Sequence, residues 1–354
     1  MAFDIYLGAN TPLGFFSYFE PFAESAKKVV ILKGGPGCGK STLMKKLAAY
    51  GEKKGHKTLC IFCSSDSDSL DGVYFPDAGI LYLDGTAPHA LEARTPGACE
   101  TLLDLGQCFD TAALSLHLEE IRALNRALAD QYSRCYVYLQ SAAAVKKNAD
   151  SLCSMDTDVL ARRARMLAQR TIPKKKTGGR GQRHDVFLSS FTKNGLEKLE
   201  IPDGFSCFPI FDPMSSGGAI LSCIADYAEE NGYTVYAAHD PYDPKGNPMH
   251  VFLPEAKLAF VSAGRPFGYD NAPGRRIRLD ALTGAGNAEK QRIRRDRKIQ
   301  HLLESCARDA LEGAKQIHDR LEAIYTPHVD FGAVNAITKA ELEKLDEMFK
   351  ARHR

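Results

Sequence analysis

The sequence predicts an α/β fold made of two similar lobes, and three observations lead to this prediction. A glycine-rich turn at residues 34–39 joins an apolar run rich in β-branched residues to a segment whose apolar residues have helical spacing. Short blocks of the first half of the chain recur in the same order in the second half. A long segment with apolar residues on one helical face follows in each half.

The first predicted element is a short buried strand over KKVVILK, residues 27–33. The turn after it has the spacing Gly34, four residues, Gly39, Lys40 and Ser41, which is the P-loop pattern. Glycines let backbone N–H groups surround a phosphate closely, and the positive end of the following helix points at the same place. We therefore predict a nucleotide-binding segment formed by Gly34, Gly35, Pro36, Gly37, Cys38, Gly39, Lys40, Ser41 and Thr42.

Three side chains in this region have predicted roles with Mg·ATP. Lys40 is the cation for the β- and γ-phosphates, which makes it a candidate catalytic residue, and the Ser41 hydroxyl is a candidate Mg²⁺ ligand. The apolar strand AGILYLD, residues 78–84, ends in Asp84, and a carboxylate at the tip of such a strand is the Walker B arrangement that holds Mg²⁺. A buried, purely structural Asp84 is the alternative interpretation.

An acidic segment, SSDSDSLDG at residues 64–72, follows the second predicted strand, which precedes the strand that ends in Asp84. Phosphoryl transfer needs a carboxylate that orients or deprotonates the attacking oxygen. Many P-loop ATPases have a Glu directly after the Walker B Asp, but this chain has Gly85 there. Asp66 and Asp71 are therefore the candidate catalytic carboxylates, and the alternative is a solvated turn in which they cap a short helix.

Repeated blocks predict an internal duplication. DIYLGANTPLG at residues 4–14 matches DVFLSSFTKNG at 185–195, and AAYGEKKGHKT at 48–58 matches ADYAEENGYTV at 225–235. Extending this register aligns Lys40, Ser41 and Asp84 with Gly217, Gly218 and Ser262. The second lobe is therefore expected to keep the strand–turn–helix scaffold without the Walker A and Walker B side chains.

The predicted organisation has three parts. Residues 1–158 form the P-loop lobe with a helical hairpin from about 111–152. Residues 159–184 form a basic linker, and residues 185–354 form the degenerate lobe with its own hairpin from about 290–325. The stretch 161–184 contains Lys and Arg but no Asp or Glu, which is typical of a solvated linker and also compatible with contact to nucleic acid. No RNA- or DNA-binding motif accompanies it, which favours the linker.

Composition limits the class of protein. The chain has 44% apolar and 25% charged residues, which is typical of a soluble globular protein. No apolar run approaches the length of a membrane span, and MAFDIYLGAN at the start lacks the features of a signal peptide. The sequence therefore predicts a cytoplasmic protein without a membrane partner, and it does not indicate a protein partner or an oligomeric state.

Four features together resemble an uncharacterised bacterial family of tandem P-loop ATP-binding proteins. They are KGGPGCGKSTLMKK from Lys33, CSSDSDSLDGV from Cys63, DGTAPHALEARTPGA from Asp84, and the doubled architecture. The resemblance implies two P-loop NTPase-like lobes and ATP binding but no particular substrate, and the altered second lobe departs from the family pattern. The predicted function is Mg·ATP binding and hydrolysis at one site, and the alternatives are an ATP-gated binding module or a small-molecule kinase.

Overall fold

The computed structural model describes residues 3–87, 90–151, 157–175, 179–211, 218–264, 266–279 and 287–351, and it has a mixed α/β fold, as predicted. In chain order the first half contains β1 (Gly8–Thr11), β2 (Gly14–Ser17), α1 (Phe19–Glu24), β3 (Lys28–Lys33), α2 (Lys40–Lys53), β4 (Leu59–Phe62), β5 (Leu70–Phe75), β6 (Ile80–Asp84), β7 (Glu100–Asp104), a 3₁₀ turn (Gly106–Cys108), α3 (Thr111–Ser115), α4 (Leu118–Asp150) and α5 (Thr157–Thr171). The second half contains β8 (Arg183–Val186), β9 (Ser189–Thr192), β10 (Gly195–Lys198), β11 (Ser206–Phe211), α6 (Gly218–Glu230), β12 (Val235–Asp240), β13 (Asp243–Leu253), β14 (Leu258–Ala263), β15 (Ile277–Arg278), α7 (Asn287–Tyr325), a 3₁₀ turn (Thr326–His328) and α8 (Phe331–Ala351).

Two compact units divide the chain. The P-loop unit comprises Met1–Gly8, Ser17–Arg134 and Asp309–Arg354. The second unit comprises Ala9–Phe16 and Cys135–Arg308. The segment from Asp309 onward, which the sequence pattern assigned to the second lobe, therefore belongs to the unit that contains Lys40 and Asp84.

The sheet of the P-loop unit has five strands in the order β4-β5-β6-β3-β7. β3 is parallel to both of its neighbours, β6 and β7, whereas β5 is antiparallel to β4 and β6. The carboxyl ends of the three parallel strands lie at one edge of the sheet, where they bring together Asp84, Asp104 and the turn after Lys33. The crevice outside such strand ends is the usual ligand site of α/β sheets.

α2 covers this sheet with a continuous apolar face. Leu43, Met44 and Leu47 are buried against a core that includes Phe75 and Tyr82. The helix lies so close to the sheet that a Cβ added at Gly51 would be 2.2 Å from Phe75 Cε1. This close packing fixes the beginning of α2, and therefore the position of Lys40, relative to the ends of the strands.

The second unit contains a six-stranded sheet in the order β15-β11-β14-β13-β12-β8. β11 is parallel to β14 and β15, β13 is antiparallel to β12 and β14, and β8 is parallel to β12. Without β8 and taken in reverse, this strand order is β12-β13-β14-β11-β15, which has the same parallel and antiparallel pairings as β4-β5-β6-β3-β7. β11 therefore takes the place of β3, and β14 takes the place of β6. α6 packs on this sheet through Ile220, Leu221 and Ile224.

The two sheets also agree in residue register. Leu32 pairs with Asp84 in the first sheet, and adding 178 to both numbers gives Ile210 and Ser262, which pair in the second. In the same way, the pair Gly72–Leu83 corresponds to the pair His250–Val261. The alignment of Asp84 with Ser262, made from sequence blocks, therefore coincides with the observed strand pairing.

Each half of the chain also has a small hairpin with the same side-chain contact at its turn. Thr11 Oγ1 donates a hydrogen bond to Gly14 O at 2.7 Å, and Thr192 Oγ1 donates to Gly195 O at 3.4 Å. Residues Ala9–Phe16 of the first hairpin belong to the second unit, where Asn10 Nδ2 donates to Phe191 O at 2.9 Å. Side chains that close a turn locally set hairpin register without long-range contacts.

In each unit, a helix from the other half of the sequence packs on the helix that follows the central parallel strand. That helix is α2 after β3 and α6 after β11. In the P-loop unit, Leu345 and Phe349 of α8 lie in the core beneath α2, and Tyr50 Oη donates to Asp346 Oδ1 at 2.7 Å. In the second unit, α5 packs on α6 through Leu160, Ala164, Ala168 and Ile172. Part of the predicted basic linker is therefore a packed helix, because small and apolar residues recur every four positions among its arginines.

Two long helices, α4 and α7, replace the predicted separate hairpins. Each contributes residues to both units, with the divisions after Arg134 and Arg308. In the P-loop unit they pack through an apolar cluster that includes Ile121, Leu124 and Leu321. Among the described residues, no helix has both the length and the apolar character needed to span a membrane.

Candidate functional site

The P-loop turn between β3 and α2 has a shape that depends on glycine. Gly37 and Gly39 have φ values of 67° and 93°, in the left-handed region that favours glycine. A Cβ at Gly34 would lie 2.6 Å from Cys38 Sγ, inside the turn. Cys38 is buried, and this burial raises the pKa of its thiol, so its side chain fills the turn as a neutral group.

Lys40 begins α2 and folds back over the turn. Its Nζ donates hydrogen bonds to Gly34 O at 2.9 Å and to Gly35 O at 3.0 Å. The same Nζ lies 3.8 Å from Asp84 Oδ2, and both side chains are largely buried. The ammonium group is therefore held between the turn and the end of β6, which is where a phosphate bound to the turn would need a cation.

Asp84 occupies the end of β6, directly beside β3. Its Oδ1 accepts hydrogen bonds from Thr86 N at 2.8 Å and from Thr86 Oγ1 at 2.6 Å, while Oδ2 faces Lys40. Burial raises the pKa of Asp84 above its ordinary value, and Lys40 and Thr86 only partly oppose that effect. A carboxylate kept in a site that disfavours its charge is a common feature of functional positions.

Ser41 joins the P-loop to the acidic segment. Its Oγ accepts a hydrogen bond at 3.0 Å from the backbone N–H of Leu70, where β5 begins. One turn further along α2, Lys45 Nζ donates to Asp68 O at 2.5 Å. A hydroxyl oxygen has two lone pairs, so Ser41 can accept from Leu70 and still offer an electron pair to a metal ion. The acidic segment is therefore anchored at the first turn of α2.

The two candidate catalytic carboxylates have different surroundings. Asp71 is buried, and it forms a hydrogen bond with Cys63 and adds to the negative potential at Asp84. The Asp66 side chain is more exposed, and its Oδ2 lies 3.6 Å from Lys315 Nζ of α7. Asp71 therefore belongs to the surroundings of Asp84, whereas Asp66 has access to solvent. Thr42, also predicted in the nucleotide-binding segment, lies exposed in the first turn of α2.

Gly85 explains why the usual catalytic Glu is missing after Asp84. A Cβ at Gly85 would lie 2.3 Å from Ile31 Cγ2 and 3.1 Å from Leu91 O. The backbone carbonyls of Gly85 and Leu91 both accept hydrogen bonds from Lys33 Nζ, at 2.9 Å and 2.8 Å. A side chain at this position would therefore displace the Ile31 side chain of β3 and crowd the backbone at Leu91.

Further residues lie against the turn that the sequence pattern did not identify. They are Phe109 and, from the C-terminal part of the chain, Tyr325 and Thr326. A Cβ at Gly35 would lie 3.2 Å from Phe109 Cζ and 3.2 Å from Tyr325 Cε1. A Cβ at Gly37 would lie 2.6 Å from Thr326 Oγ1. Phe109 and Tyr325 pack edge to face, with ring centroids 5.4 Å apart. The end of α7 therefore covers one side of the P-loop, at a separation of about 290 residues that no local motif reveals.

The corresponding position in the second sheet has different chemistry. Ser262 is fully buried, its Oγ donates to Met249 O at 2.9 Å, and its N–H donates to His250 Nδ1 at 3.2 Å. Its side chain therefore bonds to the neighbouring strand. Ser216 and Gly217, aligned with Gly39 and Lys40, lie outside the described residues.

The residues of the first site fit Mg·ATP. The turn lies at the amino terminus of α2, which favours an anion. Among the residues that the structure describes, no three His, Cys, Asp or Glu side chains form a complete metal site. A nucleotide-bound Mg²⁺ does not require one, because phosphates and waters supply most of its ligands. The two protein ligands predicted for such an ion lie in the first turn of α2, Ser41, and at the end of β6, Asp84.

A family model described as Nephrocystin 3, N-terminal, matches residues 18–73, which run from α1 through the P-loop and α2 into β5. No curated protein and no solved structure matches the chain. The similarity therefore concerns the segment that contains Lys40, Ser41 and the two candidate catalytic carboxylates.

Proposed function

We propose that this chain binds Mg·ATP at the P-loop turn and hydrolyses it. The observation that carries the proposal is the meeting of Lys40, Ser41 and Asp84 at the carboxyl ends of two adjacent parallel strands. Lys40 Nζ lies 3.8 Å from Asp84 Oδ2, and Ser41 is the next residue of α2. Three groups with these chemical properties at the end of a glycine-rich turn suit a triphosphate and its metal ion.

Each residue has a distinct proposed role. Lys40 binds phosphate oxygens in exchange for its contacts with the carbonyls of Gly34 and Gly35. Ser41 and Asp84 hold Mg²⁺, which when bound neutralises charge on the phosphates. Asp66 is the proposed carboxylate for the attacking water because Gly85 leaves no room for one after Asp84. Asp71, buried and close to Asp84, is proposed to orient the metal ligands, since outer groups of this kind fix ligand geometry.

We further propose that the two sheets arose by duplication and that the second has lost its nucleotide site. The equal strand order and the pairing register separated by 178 residues support the duplication. The replacement of Asp84 by Ser262, whose hydroxyl is bonded to Met249 O, supports the loss. The resemblance to bacterial tandem P-loop ATP-binding proteins belongs to this proposal, as do the cytoplasmic location and a basic helical face that contacts solvent rather than nucleic acid.

One observation favours a second candidate function, an ATP-gated binding module. Tyr325 and Thr326 lie directly against Gly35 and Gly37, so a change of the turn on nucleotide binding would reach the end of α7. A module of this kind needs little turnover, which agrees with the missing Glu at position 85. A kinase for a small acceptor would use the same site with a different attacking oxygen.

Phosphate release by the purified protein separates these functions. A hydrolase releases phosphate from Mg·ATP without an added acceptor, and the Asp66→Asn variant loses turnover while still binding ATP. A gated module shows ATP-dependent protection of α7 from proteolysis with negligible phosphate release from the wild-type protein. A wild-type protein that neither binds ATP nor carries a nucleotide through purification, as judged by mass spectrometry, contradicts both functions.

A further inference from the structure

One face of α7 carries charged residues toward the P-loop. Lys315, His318, Glu322 and Thr326 follow one another at helical spacing, with Thr326 just past the end of the helix. At the far end of this face, a Cβ at Gly37 would lie 3.7 Å from Glu322 Cβ and 2.6 Å from Thr326 Oγ1. The face therefore begins at Lys315 and ends in contact with the predicted phosphate-binding turn.

Lys315 connects this face of α7 to the acidic segment. Its Nζ is 3.6 Å from Asp66 Oδ2 and also contacts Asp319 Oδ1. Burial acts to lower the pKa of Lys315, but the carboxylates of Asp319, Asp66 and Glu322 outweigh it and leave the pKa raised. The side chain is 24% exposed, so it is a charged group with limited contact with water.

The acidic segment brings Lys315 close to the metal-binding side of the turn. Leu70, four residues after Asp66, donates its N–H to Ser41 Oγ at 3.0 Å. Lys45, in the first turns of α2, holds Asp68 O. Contacts from α2 and α7 therefore hold the short segment 66–70, with Ser41 at one end and the Lys315–Asp66 pair at the other.

The proposed site has too little positive charge for Mg·ATP unless a further cation contributes. Lys40 is matched by Asp84 at 3.8 Å, so these two groups add little net charge. Mg·ATP remains negatively charged, and phosphoryl-transfer sites commonly supply another cation at the terminal phosphate. We propose that Lys315 is this cation and that it exchanges its contact with Asp66 for the terminal phosphate of ATP. The inference rests on the proposed ATP site and adds a residue that distinguishes ATP from ADP.

The test compares the affinities of two nucleotides that differ in the terminal phosphate. Isothermal titration with Mg²⁺ is carried out on the full chain with a non-hydrolysable ATP analogue and with ADP. The Lys315→Met variant is expected to lose affinity for the ATP analogue by about tenfold or more, as for one charge-assisted contact, and to keep its affinity for ADP. Lys315→Arg is expected to keep the preference for the ATP analogue, because it keeps the charge.

Two further variants separate a phosphate contact from a structural ion pair. Asp319→Asn removes a partner of Lys315 but keeps the cation, so it is the matched control and should preserve the preference for the ATP analogue. Asp66→Asn breaks the ion pair and also keeps the cation, so it should preserve that preference as well. If Asp66→Asn reproduces the loss seen in Lys315→Met, Lys315 acts by holding the acidic segment and the proposal is wrong.

The outcomes also separate this inference from the proposed function. Equal loss of the ATP analogue and ADP in Lys315→Met, or no loss of either, overturns the role of Lys315 while Lys40-dependent binding by the wild-type protein stands. Absence of nucleotide binding by the wild-type protein overturns the ATP site itself. Thermal unfolding of each variant checks that it is folded. If Lys315→Met is not folded, Lys315→Gln takes its place.

Discussion

Asp84 near the end of β6 and Ser262 near the end of β14 have matching positions in their sheets, but one side chain is ionisable and the other is neutral. Asp84 pairs with Leu32 of β3 and Ser262 pairs with Ile210 of β11, in registers that differ by 178 residues. Asp84 keeps a buried carboxylate beside Lys40, although burial raises its pKa and therefore disfavours its charge. Ser262 is neutral and bonds to Met249 O within its own sheet. The comparison teaches that the same strand order and pairing register can carry a charged carboxylate in one sheet and a neutral hydroxyl in the other.

A second comparison concerns the helices that cover the two sheets. α8 covers α2 in the P-loop unit, and α5 covers α6 in the second unit. In both units the covering helix comes from the other half of the sequence. If the units are built alike, loss of a large buried side chain from either covering helix should strongly destabilise the protein.

The largest expected effect is on stability, from Phe349→Ala in α8. Phe349 is 4% exposed, packs edge to face on Phe75 with ring centroids 5.2 Å apart, and stacks on His56. Its removal should lower the free energy of unfolding by about 3–5 kcal/mol. Leu160→Ala in α5 should cost about 2–5 kcal/mol for the same reason. Urea unfolding measures both, with the exposed Leu302→Ala as the control.

Lys40→Ala is expected to have the next largest effect, on nucleotide binding. Loss of charge-assisted contacts worth about 1.5–3 kcal/mol each should weaken Mg·ATP binding by tenfold or more. Lys53→Ala, an exposed lysine on the same helix, is the matched control and should leave affinity unchanged. Equal affinity for ATP in wild-type protein and Lys40→Ala would contradict the assignment of the P-loop.

Asp84→Asn and Ser262→Ala test the two strand ends directly. Asp84→Asn should weaken nucleotide binding in Mg²⁺ more than in EDTA, because the carboxylate acts through the metal ion. Ser262→Ala should change the free energy of unfolding by about 1 kcal/mol through the lost bond to Met249 and should not change nucleotide binding. If Asp84→Asn weakens nucleotide binding equally in Mg²⁺ and in EDTA, Asp84 has a structural role.

The pH dependence of stability should differ between wild-type protein and Asp84→Asn. Because the folded-state pKa of Asp84 lies above its ordinary value of 3.8, the folded protein binds the proton more tightly than the unfolded chain. The stability that this provides is present below pH 3.8 and is lost as pH rises through the raised pKa. The wild-type protein should therefore lose stability relative to Asp84→Asn over that interval, in unfolding experiments without nucleotide. A constant difference would mean that the Asp84 carboxylate is not disfavoured by burial.

The sequence predicted the parts of the fold that local pattern determines. The apolar run before Gly34, the helix from Lys40 and the strand ending at Asp84 all lie where their composition indicates. The repeated blocks also aligned Asp84 with Ser262, and these two residues have matching positions in the strand pairing. The predicted roles of these residues in binding and catalysis remain predictions.

Other features could not be found from sequence because they depend on contacts between distant segments. Tyr325 and Thr326 lie against Gly35 and Gly37, but a packing contact between segments so far apart leaves no motif. The basic charge of residues 161–184 predicted a linker, whereas the structure packs Ala164 and Ala168 of that stretch against α6. Alanine is too small to give a strong periodic signal, although it permits close packing of two helices.

The number of nucleotides bound per chain tests the central claim most directly. Isothermal titration of the full chain with a non-hydrolysable ATP analogue and Mg²⁺ gives this number. The difference between Asp84 and Ser262 predicts one strong site per chain, and Lys40→Ala should remove it. Two sites of similar affinity would contradict the claim that the second turn has lost its nucleotide chemistry.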